Sequence, residues 1–304
     1  MLQYLLIFVS GFIEVWDYKK CKLKLDLAYQ KEDECMLHDT AILALDISRD
    51  GEMLASGSAD GCLRIWKLES GKCLRQFEHA HSAAISCIKF SQSSTQVLTG
   101  SHDSLCREFG LRASKMIKEF QGNTSHVNMC MYLEEYATSK QSIVTAGADG
   151  TVRLWNARTS EVTQVIRPGM NLRRDAMIEK SIIYIAHLLD PQDSFVVVPL
   201  GPIAYLLSRE NGEILLTYES DKEEGGDFVS AVINPTNKWL YCVTEDHSCL
   251  CFDVFTGKVQ SQIGGIGQNV KVVTHHPHYG IIASCGMEPT SGSEKKRGVV
   301  KILK

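Results

Sequence analysis

Short segments of alternating or β-branched character, closed by turn residues, recur along the whole chain. Met53-Leu54-Ala55-Ser56-Gly57 is followed by Asp60-Gly61 and then by Cys62-Leu63-Arg64-Ile65-Trp66-Lys67. Ile143-Val144-Thr145-Ala146-Gly147 is followed in the same way by Asp149-Gly150 and Thr151-Val152-Arg153-Leu154-Trp155-Asn156. Asp-Gly between two such runs predicts a tight hairpin, because the glycine supplies the positive φ that the turn needs. Phe12-Ile13-Glu14-Val15-Trp16-Asp17 ends on the same Trp mark.

Degenerate copies occupy the same frame. Val97 to Asp103 leads to Phe109-Gly110, Trp239 to Asp246 leads to Phe252-Asp253, and Gly298 to Leu303 carries Leu where Trp would stand. These anchors fall at 16, 66, 109, 155, 252 and 303, close to one period apart except for a double interval between 155 and 252. Phe195-Val196-Val197-Val198 followed by Ile203 to Leu207 fills that interval and makes a seventh unit. Units of 40 to 45 residues with four strands and His and Trp-Asp marks resemble WD40 repeats. The fold expected is therefore all-β, a seven-bladed WD40 β-propeller in a single domain over 1–304, with blades at roughly 1–37, 38–78, 79–121, 122–168, 169–220, 221–264 and 265–304.

Composition adds three constraints. At 44% hydrophobic and 22% charged residues the chain is ordinary for a folded protein, which excludes disorder or low complexity as a description of the whole. The net charge of −4 supplies no global positive field, so direct RNA contact is not expected unless it is local. The 11 cysteines are odd in number and include no C-x-x-C pair, which favours a reducing compartment over a disulfide framework. The apolar run Leu2 to Ile13 has no basic residue ahead of it and is too short for a bilayer span, so it reads as core strands and no membrane is expected.

The WD40 resemblance implies which polar residues meet. In the second unit His38, Ser56, Asp60 and Trp66 would form a chain from indole through hydroxyl and imidazole to carboxylate. The third unit keeps His81, Thr99 and Asp103 but has Phe109 in the Trp position. The fourth keeps Thr145, Asp149 and Trp155, with Asn123 in the His position. A Ser-His-Asp set also suggests a hydrolase, but repetition in successive blades points to a structural role, and no enzymatic activity is expected. Gly71-Lys72-Cys73 lacks the pattern of a phosphate loop, and Gly264-Gly265-Ile266-Gly267 reads as an inter-blade loop. Adjacent rings and a proline argue against His275-His276-Pro277-His278 as a metal centre. No cofactor is expected. His102, Asp227, Phe228 and Glu245, all beside turns, are the candidate protein contacts, and Met287 to Arg297 reads as a polar projection in the last blade.

Longer stretches carry a narrower resemblance. Gly11 to Trp16, Glu52 to Gly57, Gly71 to Glu78 with Ala80-His81-Ser82, Glu224 to Val229, Lys238 to Val243 with Glu245-Asp246, and His275 to His278 together resemble the propeller of the Smu (suppressor of mec and unc) splicing family. The resemblance implies a nuclear, non-enzymatic scaffold of the pre-catalytic spliceosome that supports pre-mRNA splicing and splice-site choice, with spliceosomal proteins as partners. Another WD40 adaptor, such as a ubiquitin-ligase substrate receptor, is the alternative. The family's N-terminal LisH/CTLH region is absent from this sequence, which puts its RED-type partner in doubt here. The sequence reads as starting inside the first blade, so the first and last blades are expected to be incomplete. A truncated gene model is favoured over a divergent paralogue or isoform, or a strand donated by a partner.

Overall fold

The computed structural model describes residues 4–9, 11–17, 19–20, 22–24, 27–31, 36–134, 141–168, 180–188, 193–219, 226–267, 269–289 and 296–303. The fold is all-β, with seven antiparallel sheets arranged as the blades of a β-propeller. The chain divides into two compact units, Met1–Val165 and Ile166–Lys304.

In the first unit, the first blade contains β1 (Tyr4–Val9), β2 (Phe12–Asp17), and two short strands, β3 (Lys22–Leu23) and β4 (Met36–Leu37), both paired with β2. Between them lies a single helical turn, α1 (Ala28–Lys31). The second blade is β5 (Ile42–Ile47), β6 (Met53–Ser58), β7 (Leu63–Lys67) and β8 (Cys73–Phe77). The third is β9 (Ile85–Phe90), β10 (Gln96–Ser101), β11 (Cys106–Gly110) and β12 (Lys115–Phe120). The fourth is β13 (Val127–Glu134), β14 (Gln141–Gly147), β15 (Val152–Asn156) and β16 (Val162–Ile166).

The second unit carries the fifth blade, β17 (Ile182–Leu188), β18 (Ser194–Pro199), β19 (Ile203–Ser208) and β20 (Ile214–Glu219). The sixth is β21 (Phe228–Ile233), β22 (Trp239–Thr244), β23 (Cys249–Asp253) and β24 (Val259–Ile263). The seventh has three strands among the described residues, β25 (Val270–His275), β26 (Ile282–Pro289) and β27 (Lys296–Leu303). The β26–β27 ladder continues out to Pro289 paired with Lys296, so strand pairing extends into the segment read as a projection. Residues 290–295 of that segment lie outside the described residues.

Blades pack through apolar faces. Leu63, Ile65 and Ala55 of the second blade meet Ile85, Ile88 and Phe109 of the third, and Phe120, Cys106 and Leu98 of the third meet Cys130, Ile143 and Trp155 of the fourth. The first strand of each blade from the second to the seventh carries a β-bulge near its start, including Ile42/Ala44, Val127/Met129 and Phe228/Ser230. A bulge bends the strand and raises its twist, here at the point where the chain enters each new sheet.

The first blade departs from the four-strand pattern in a way the sequence did not announce. Where β3 ends and β4 has not begun, α1 fills the gap and its Gln30 side chain acts as a strand would. Gln30 Oε1 accepts from Val15 N at 2.7 Å, and Gln30 Nε2 donates to Val15 O at 3.1 Å and to Lys24 O at 2.8 Å. The buried amide thus satisfies the Val15 N–H, and adds a second bond to the Val15 carbonyl, which also accepts from Lys24 N at 3.0 Å.

The Asp-Gly turns are anchored to the next loop. Gly61 has a φ of +82°, and a Cβ there would press onto the His81 carbonyl oxygen, while His81 N donates to Gly61 O at 3.1 Å. Gly11, at φ +100°, stands in the same relation to His38, whose N donates to Gly11 O at 2.8 Å. Gly61→Ala combines a left-handed backbone with a steric clash and should destabilise the chain by about 2 kcal/mol or more. Urea unfolding checks this, with a lowered midpoint expected at constant m-value.

Candidate functional site

The repeated polar chains form where the β6–β7, β10–β11 and β14–β15 turns meet the loop entering each blade, and each chain resolves differently. In the second blade Trp66 Nε1 donates to Ser56 Oγ at 2.8 Å, and Ser56 Oγ lies 2.6 Å from His38 Nε2. The hydroxyl has one proton, and the imidazole lies closer to it than the Arg64 carbonyl at 3.4 Å. The hydroxyl thus bridges the indole and the imidazole, with the His38 ring held through Nε2. The ring's Nδ1 is buried and meets no hydrogen-bond partner.

The expected last link from His38 to Asp60 is not made. Asp60 is held within its own turn by the Ser58 hydroxyl and by Cys62 N at 2.9 Å. Burial, reinforced by the Arg64 guanidinium, depresses the His38 pKa to about 4 against the attraction of Asp60 and Asp39.

The third blade has the link that the second lacks. His81 Nδ1 contacts both carboxylate oxygens of Asp103 at 3.0 and 3.1 Å, and His81 Nε2 lies 2.7 Å from Thr99 Oγ1. Burial lowers the His81 pKa and Asp103 opposes that shift. Phe109 contributes only packing, against Phe77 at 4.9 Å between ring centroids.

In the fourth blade Trp155 Nε1 donates to Thr145 Oγ1 at 2.9 Å, which donates to Asn123 Oδ1 at 2.9 Å. Asn123 thus bonds the hydroxyl as the imidazole does elsewhere. Asp149 is bound by Thr151 Oγ1 at 2.6 Å, Arg153 Nη2 at 3.0 Å and the Thr124 hydroxyl. Burial would raise its pKa, but these donors outweigh burial and pull it down to about 2. The first blade follows none of these schemes, since Trp16 Nε1 donates to Glu14 Oε2 at 2.8 Å.

An arginine two residues before Trp66, Phe109 and Trp155 is part of the device and was not singled out in the sequence. Arg64 donates to the Leu37 carbonyl and to Asp39 Oδ2 at 3.1 Å. Arg107 donates to Ala80 O and Glu119 Oε2, both at 2.7 Å. Arg153 joins Asp149 to Thr124, the latter at 3.0 Å. The signal was present as Leu-Arg-Ile-Trp, Cys-Arg-Glu-Phe and Val-Arg-Leu-Trp.

The candidate contact residues separate. His102 and Glu245 are exposed, and the His102 ring lies 4.8 Å from that of His126. Asp227 is partly exposed, 3.8 Å from Lys180 Nζ, and its carbonyl accepts from Glu245 N at 3.0 Å. Phe228 is corrected to a core residue. It is fully buried with an edge-to-face contact on Phe252, because as the first residue of β21 its ring turns into the sheet interface. Among the described residues no group of three or more His, Cys, Asp or Glu side chains is placed to hold a metal ion. These sites bind polar groups to one another.

Comparison with known proteins gives two family models. One described as a Vps8 β-propeller matches residues 8–129, and one described as a WD domain, G-beta repeat, matches residues 114–156. The WD40 repeat-containing protein smu1 of Dictyostelium discoideum is 37% identical over 281 residues, 92% of this chain and 51% of the relative. The chain therefore spans about half the length of that protein. Shorter matches join the DDB1- and CUL4-associated factor 4-like protein 2 of Homo sapiens, 39% identical over 14% of this chain and 11% of the relative, and a ribosome biogenesis protein BOP1 homolog of Arabidopsis thaliana, 42% identical over 14% of this chain and 6% of the relative.

The geometry sets the acid response. His38 has its pKa lowered from 6.5 to about 4 on folding, so the unfolded chain binds the extra proton between these values. Its contribution is complete above pH 6.5 and is lost as pH falls towards 4, on the order of 2–3 kcal/mol. His38→Asn, which supplies the acceptor that Asn123 supplies in the fourth blade, should flatten the thermal midpoint over that window. A wild-type midpoint that does not fall between pH 7 and 4.5 contradicts the assignment. Trp66→Phe removes the indole donor to Ser56 and trims the ring, and should cost about 1–3 kcal/mol in denaturant unfolding.

Proposed function

This chain is a WD40-repeat β-propeller protein similar along most of its length to smu1, and we propose that it serves as a protein-interaction scaffold of the pre-catalytic spliceosome, in the nucleus, supporting pre-mRNA splicing and splice-site choice. The observation that carries the reading is the 37% identity sustained over 281 residues. Identity confined to the repeat marks would support only a generic propeller. Here the matched stretch of 281 residues is long enough to enter both compact units.

A scaffold also suits the chemistry of the chain. The buried polar residues are consumed in holding turns and loops in place, which leaves rigid blades presenting exposed side chains such as His102 and Glu245. Spliceosomal proteins that meet the blades themselves are the partners expected for this stretch of the protein. The short match to the DDB1- and CUL4-associated factor supports a second reading, an adaptor of a ubiquitin ligase, over 44 residues only.

Affinity purification of the tagged chain from nuclear extract, with mass spectrometry, separates the two. Spliceosomal proteins should dominate the recovered set, and depletion should shift exon inclusion in transcript sequencing. Recovery of ligase subunits without splicing factors would overturn the proposal in favour of the adaptor.

A further inference from the structure

The second unit carries an aromatic and basic strip at the end of the sixth and seventh blades formed by the β21–β22, β23–β24 and β25–β26 turns. Trp239 and Tyr241 are two residues apart on β22 and so share one face of the sheet. Tyr241 stacks on His275 of β25, with ring centroids 5.9 Å apart and planes inclined by 24°. His275 Nδ1 is bound to His276 O at 2.7 Å, and the His276 ring contacts Tyr279 at 4.8 Å and His278 at 6.1 Å. Phe255, in the β23–β24 turn, is 49% exposed and Tyr279 is 50% exposed.

Charge and order accompany the rings. Lys238 Nζ sits 4.9 Å from the Trp239 ring centroid, and Lys258 is exposed on the neighbouring turn. Across 234–239, 253–258 and 275–282 the one carboxylate is Asp253, and its Oδ1 accepts from Phe255 N at 3.0 Å and Thr256 N at 2.9 Å. The turn after β25 is pinned by His276 Nδ1, which accepts from His278 N at 3.0 Å and Tyr279 N at 3.2 Å. At these three turns two lysines, Lys238 and Lys258, stand against one aspartate, beside planar rings held in fixed positions.

We propose that this strip, centred on Trp239, Tyr279 and Lys238, binds single-stranded RNA, with bases stacked on the exposed rings and the lysines neutralising phosphates. Each base has a π-face, so such a platform is tolerant of sequence, while the lysines beside the rings favour an anionic strand over a neutral peptide. A duplex keeps its bases stacked internally and offers the rings nothing equivalent. The proposal does not depend on the spliceosomal reading, because the binding is a property of the purified chain.

The test is fluorescence anisotropy of the purified chain with labelled oligouridylate. Saturable binding at about 50 mM salt is expected, with a log–log salt slope of roughly −0.7 for each phosphate neutralised. Tyr279→Ala and Lys238→Ala should each weaken binding, the first by about 5- to 100-fold from the lost stack. Both side chains are exposed, so thermal midpoints should stay unchanged, and duplex RNA should bind more weakly than the single strand. No binding at about 100 µM protein overturns the proposal, since that is the range of non-specific nucleic-acid contacts. Equal affinity in both variants also overturns it, as does binding of a decaproline peptide, sensitive to Tyr279→Ala, without any binding of oligouridylate.

Discussion

The constraint on which the blades of the first unit depend is that a polar group buried between strands needs a hydrogen-bond partner. The indole of Trp66 or Trp155 fills an inter-blade space that an apolar ring could fill nearly as well, but its N–H then requires an acceptor. The Ser56 or Thr145 hydroxyl is that acceptor, and it bonds in turn to His38 or Asn123. The requirement is thus passed outward from the core to the loop entering the blade, and satisfying it fixes the loop. Phe109 breaks the sequence at its first step, and the third blade responds by closing the outer steps more fully, with His81 gripped by both Thr99 and Asp103.

The Asp-Gly turns, the Trp marks and their spacing were legible because each records a local necessity, such as positive φ at Gly61 or a large ring at Trp155. The departures needed three-dimensional context. Gln30 cannot be read as a strand substitute from sequence, since its role exists only because the Val15 main chain lies beside it. Nor does sequence say that Asp60 would turn inward to Ser58 and leave His38 Nδ1 without a partner. Phe228 was misread because the residues before it are polar turn residues, whereas its own ring packs on Phe252 in the core.

The two units meet the same packing problem with different chemistry. In the second, β18 is buried along its whole length with Phe195 and three valines in a row, and Tyr218, Phe228 and Phe252 pack edge to face. Here the polar partner is main chain, as Tyr218 donates to Val254 O at 2.6 Å and Ser284 to Ile266 O at 2.6 Å. A hydroxyl donating to a carbonyl carries no titratable member over the range where imidazoles change charge. His38 and His81, whose pKa values burial lowers, anchor loops of the first unit. As pH falls below the ordinary histidine value, acid therefore works against these two anchors, while the hydroxyl–carbonyl bonds of Tyr218 and Ser284 carry no charge to change. The substitution of main-chain acceptors for imidazoles is also part of what makes the later repeats hard to recognise in sequence.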